Sequence, residues 1–133
     1  MTLRRKIALL AALAAMGLVS GQSATARTEA GHVFGALAYN GENDAIGWSY
    51  NYADSDEAEK VALNGCAKQG AGCYIVITFS NSCAAVTVDK ATVVYSMEGP
   101  TKDEAQKNAM GRCEAGGKGG CQIKVWSCSF PGK

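Results

Sequence analysis

The chain has 133 residues, with 13 basic against 12 acidic side chains and a formal charge of +1, which is room for one domain and too little clustered positive charge to hold a phosphate backbone. Nucleic acid is therefore excluded as a partner.

The first residues carry Arg4, Arg5 and Lys6, then an apolar run from Ile7 to Val19, then small polar residues ending in Ala24-Thr25-Ala26. This is the three-part pattern of a secretory signal peptide cleaved after Ala26. The apolar run stops short of the roughly 20 residues that a bilayer-spanning helix needs. The expected organisation is a signal peptide over 1–26, a flexible N-terminal segment over 27–32, and a single duplicated domain over 33–133. Cleavage removes three basic residues and no acidic one, so the balance of +1 becomes −2. The expected location is secreted or periplasmic, with no transmembrane segment after cleavage.

Two runs, Val33 to Tyr39 and Ala45 to Tyr50, flank Asn40-Gly41-Glu42-Asn43-Asp44 and predict a hairpin, with Asn-Gly supplying the positive φ of its turn. A helix follows. Asp54 and Glu57 have capping-box spacing, and Ala58, Ala62, Leu63 and Cys66 recur at helical intervals. Gly70 and Gly72 let the chain turn into a strand from Cys73 to Phe79. The order then recurs. Ala84 to Val88 and Ala91 to Tyr95 flank a two-residue turn, Asp89-Lys90; Thr101 and Glu104 cap a second helix; glycines from Gly116 to Gly120 lead into a strand from Cys121 to Cys128.

The recurrence extends to the residues themselves. Asp56 to Cys66 aligns without gaps on Asp103 to Cys113, with six of the eleven positions identical, and Trp48-Ser49 falls over Tyr95-Ser96. The chain therefore reads as two strand-strand-helix-strand repeats, one over about 33–82 and one over about 83–128. The expected fold class is α+β: an antiparallel sheet domain with two helices, closed by three disulfides.

The six cysteines form an even set in an exported chain, which reads as a disulfide framework. No C-x-x-C knuckle favours zinc. Symmetry between the copies favours local bridges Cys66–Cys73 and Cys113–Cys121. Cys83 and Cys128 are left to pair across the halves.

Phe34 to Tyr39, Gly47-Trp48-Ser49-Tyr50, the helix from Glu57 to Cys66 and Asn81-Ser82-Cys83-Ala84-Ala85 together resemble a bacterial family of secreted proteins. It is catalogued as domain of unknown function four thousand one hundred and eighty-nine and includes mycobacterial secreted members. The resemblance covers about residues 33 to 128. It implies export and supplies no common activity and no catalytic residues.

No constellation for catalysis stands out. His32 is the single histidine, close to the expected new N-terminus, and no G-x-S-x-G elbow is present. Asp56/Glu57 and Asp103/Glu104 are paired carboxylates of the kind used in glycoside hydrolysis, yet they fall in the first turn of a helix, where negative charge stabilises the dipole. No metal or cofactor motif is found. The aromatic residues offer a binding hint. Trp48, Tyr50 and Tyr52 alternate along a strand and its exit, with Tyr39 on the neighbouring strand, either as a binding face or as packing of the sheet core. The reading is a non-enzymatic, disulfide-stabilised binding or inhibitor module, with no cofactor and with a protein or cell-envelope component as partner. A small carboxylate-dependent hydrolase and a secreted effector acting on another cell are the alternatives.

Overall fold

The computed structural model describes residues 31–133; the expected signal peptide lies outside them, as does most of the segment over 27–32. The chain runs β1 (Phe34–Asn40), β2 (Ala45–Tyr52), α1 (Ser55–Ala67), β3 (Tyr74–Ser80), β4 (Cys83–Val88), β5 (Val94–Gly99), α2 (Lys102–Gly116) and β6 (Gln122–Cys128). The strands form two three-stranded antiparallel sheets, ordered β2-β1-β3 and β5-β4-β6. The fold is α+β, with the six strands divided between two sheets.

The reason for two sheets lies in the central strands. β1 and β4 are buried along their whole length, so each must be covered on both faces. One face of the first sheet takes α1, through Ala36 and Ala38 against Ala58, Ala62 and Cys66. One face of the second takes α2, through Ala85 against Ala105 and Ala109. The remaining faces meet each other, with Leu37 and Phe79 packed on Ala84, Val86 and Val125. The layers therefore run helix, sheet, sheet, helix.

Small side chains let the helices lie close. Each helix buries a stripe at four-residue intervals, Ala58, Ala62 and Cys66 in α1 and Ala105, Ala109 and Cys113 in α2. A Cβ on Gly47 would overlap the Ala62 carbonyl oxygen and come within 2.7 Å of the Cys66 nitrogen. Asp54 accepts the Glu57 N–H at 3.0 Å, and Thr101 accepts the Glu104 N–H at 3.2 Å, so both helices start on a side-chain cap.

The disulfides join Cys66 to Cys73, Cys113 to Cys121 and Cys83 to Cys128. The first two each fasten the end of a helix to the start of the next strand, with Cα atoms 6.1 Å apart. The third does not span the halves as expected. Cys83 and Cys128 are directly paired across β4 and β6, so this bridge lies inside the second sheet, and the first half holds two cysteines against four in the second.

Three local expectations change. The two-residue turn at Asp89-Lys90 is instead a loop over residues 89–93, and β5 starts at Val94 rather than Ala91. The Asp89 carboxylate widens it by accepting the N–H groups of Ala91 and Val93, each at 2.9 Å, and of Lys118 at 3.0 Å. Burial raises the pKa of that carboxyl, but the three backbone donors outweigh it and hold the group below its ordinary value. In the β1–β2 turn the positive φ falls on Asp44, at 56°, rather than on the Asn-Gly pair.

The alignment of Trp48 on Tyr95 also fails in space. Between Phe34 and Ala36, β1 spends one residue where β2 spends two, Tyr50 and Asn51, whereas the corresponding stretch of β4 and β5 is regular. This bulge shifts the register by one, so Leu37↔Trp48 corresponds to Val86↔Ser96. Trp48 thus occupies the position of Ser96, and Gly47 that of Tyr95.

Candidate functional site

β2 is an edge strand with a period of two. Ala45, Gly47 and Ser49 are buried, while Trp48 and Tyr50 point outward at 49% and 57% exposure. On β6, the edge of the other sheet, Trp126 is 41% exposed. Between the two edges runs an open groove of about 510 Å³ lined by Ile46, Trp48, Tyr50, Lys124, Val125 and Trp126. Trp48 also walls a neighbouring cleft of about 410 Å³ with Val61 and Asn64 of α1 and Lys68 at the cap that ends it.

The bulge and the C-terminal segment hold these edges in place. Asn51, at φ 59°, donates its backbone N–H to Ser129 Oγ at 3.1 Å. Its side chain accepts the Phe130 N–H at 2.9 Å and donates to the Lys133 carbonyl at 2.6 Å. Ser127 Oγ donates to the Ser49 carbonyl at 3.2 Å. These bonds tie the end of β2 to the chain leaving β6 and fix the spacing across the groove. At the other end Lys124 meets Asp44 at 3.1 Å. Lys102 Nζ stands 4.2 Å from the centroid of the Trp126 ring, a cation–π contact.

The four aromatic residues singled out from sequence separate. Trp48 and Tyr50 share the groove. Tyr39 does not join them: it is 2% exposed, because β1 is covered on both faces. Its hydroxyl donates to Asp44 Oδ1 at 2.7 Å, and burial, reinforced by that bond and the Asp44 charge, pushes its pKa up to about 12. The bonds from Tyr39 and Lys124 in turn hold the Asp44 carboxyl below its ordinary value, against the opposing effect of burial. Tyr52 lies beyond the bulge, half-buried against the cluster of Phe34 and α1. Trp126 and Lys124, which complete the groove, escape sequence reasoning because β2 and β6 belong to different sheets and come together only when the sheets stack.

The paired carboxylates sit at exposed helix starts. Asp56, Glu57, Asp103 and Glu104 all face solvent in the first turns, and Glu104 Oε2 accepts the Thr101 hydroxyl at 3.1 Å. His32 is exposed, with Nδ1 3.2 Å from Ser80 Oγ. Among the described residues, no group of three or more His, Cys, Asp or Glu side chains is placed to hold a metal ion, and no helix is long and apolar enough to cross a membrane.

No curated protein and no solved structure matches the chain. The family model described as Domain of unknown function (DUF4189) matches residues 34–128, from the first residue of β1 to the last of β6, and the chain belongs to that family.

Proposed function

We propose that this protein is an exported, non-catalytic binding module that recognises its partner through the groove between β2 and β6. The observation that carries the reading is the joint exposure of Trp48, Tyr50 and Trp126 around one concave surface. Large aromatic side chains left in water beside each other cost solvation free energy that a partner recovers, and such anchors dominate interface energetics. Three disulfides suit an oxidising compartment outside the cytoplasm. The carboxylates that a hydrolase would need are engaged in starting helices, which supports a binding role over a catalytic one.

The test is retention of partners from a cell-envelope extract on immobilised protein, comparing wild type with the double variant W48A/W126A and with S96A at the position equivalent to Trp48. The expected outcome is a partner retained by wild type and S96A and reduced about 30-fold or more by W48A/W126A, the effect of losing a hot spot of about 2 kcal/mol. Equal retention by all three proteins would overturn the reading.

A further inference from the structure

We infer that the groove takes an acidic, extended polypeptide segment lying along the edge of β2. This inference rests on the groove being the binding surface and adds the chemistry of its occupant.

Two features converge. The first is an open strand edge: among the described residues β2 and β6 each pair with a single neighbour, β1 and β4, so the groove runs between two strands whose outer sides have no strand partner there. The Ile46 N–H leaves that side of β2 and is capped by the Gln69 side chain at 3.1 Å. Beyond Ile46 the outward residues are Trp48 and Tyr50, spaced two apart, which is the spacing of side chains on an added strand. The second is charge. Among the described residues, the charged side chains lining the groove and the cleft that shares Trp48 are Lys124 and Lys68, with no carboxylate in either lining. Lys102 stands over Trp126. Lys124 shares its charge with Asp44, whereas among the described residues Lys68 and Lys102 form no ion pair. A nearly neutral chain thus presents exposed aromatic surface framed by uncompensated cations. A second copy seated face to face on the same surface would bring these lysines together, so like charge disfavours it. An acidic strand supplies both the backbone groups that an edge lacks and the opposite charge.

The experiment is selection of random decapeptides on the wild-type protein, with counter-selection on W48A/W126A, followed by affinity measurement against K68E/K102E. Both lysines are exposed, and unchanged circular dichroism confirms that the variant is folded. Expected are peptides rich in Asp and Glu that slow hydrogen exchange at the Trp48 and Tyr50 amides and bind K68E/K102E at least tenfold more weakly. Selected peptides without an acidic excess, or with unchanged affinity for K68E/K102E, would overturn the inference. So would quenching of Trp48 and Trp126 fluorescence by polygalacturonate, an anionic glycan, with no peptide selected. If an envelope partner is retained through Trp48 and Trp126 while no acidic peptide binds, the occupant is wrong and the binding surface stands.

Discussion

The edge made by β2 and β6 and the opposite edge made by β5 and β3 are corresponding strands of two halves with the same element order, yet they present different surfaces. By register, Trp48 on β2 corresponds to Ser96 on β5, and Trp126 on β6 to Thr78 on β3. Even the bulges correspond: the pairing skips Val76 between Leu37 and Ala38, and it skips Lys124 between Val86 and Thr87. A shared frame therefore positions side chains without dictating them. One edge received two tryptophans and a lysine, while the other received a serine, a threonine and a valine. The added residue at Tyr50 and Asn51 further separates them, because Asn51 is the residue that the C-terminal segment clasps. These differences between the two edges thus fall on the strands that line the groove and on the segment that holds them.

The halves also differ in how they are fastened, and this difference gives the largest expected effect. Where Cys83 and Cys128 are bonded at the start of β4, the corresponding pair at the start of β1 is Phe34 and Ser80. In the loop-entropy model, closing a 45-residue separation contributes about 4 kcal/mol, against about 2.5 kcal/mol for the eight-residue separation of Cys113 and Cys121. Replacing Cys83 and Cys128 together by serine should therefore lower unfolding free energy in guanidinium more than replacing Cys113 and Cys121. An equal or reversed order would mean that the long bridge does not restrain the unfolded chain in this way.

Next in size is Gly47, whose counterpart in the other half is Tyr95. Its Cβ would press on the backbone of Ala62 and Cys66, which cannot rotate away, so G47A should cost about 3 kcal/mol. A loss below about 1 kcal/mol would show that α1 shifts readily off the first sheet.

The smallest effect concerns Tyr39, Asp44 and Lys124. The folded pKa of Tyr39 is raised, so its contribution is complete below the unfolded value of 10 and is lost as pH rises through about 12. The folded pKa of Asp44 is lowered, so its contribution is present above the unfolded value of 3.8 and is lost as pH falls through the folded one. Because the Asp44 side chain is exposed, D44N should cost less than about 1 kcal/mol at neutral pH. Ultraviolet titration of tyrosinate should show a step near pH 12 for Tyr39, and in D44N this step should move toward ordinary pH. A step unmoved in D44N would show that Asp44 contributes nothing to the shift, which would then rest on burial and the neighbouring Tyr74.

The element order, both helix caps, the buried stripes and the local bridges were legible in sequence because each rests on short-range spacing. Ala58, Ala62 and Cys66 lie on one face whatever surrounds them, and Cys66 and Cys73 flank a loop too short for them to part far. The aromatic site was half legible. Period two placed Trp48 and Tyr50 together on β2, but Tyr39 follows the same rule and ended in the core. Alternation says which residues share a face; it does not say whether another layer covers that face.

By itself the sequence determined the local structure: strands, helices, caps, and the small residues that let helices approach. Only the tertiary structure decided that six strands divide into two sheets, that the bridge between Cys83 and Cys128 lies within one of them rather than across the halves, and that β2 comes to lie beside β6. These are contacts between residues some 45 to 80 positions apart in the chain, and no local spacing encodes them. They follow from burying both faces of β1 and β4 at once, which only the assembled layers can satisfy.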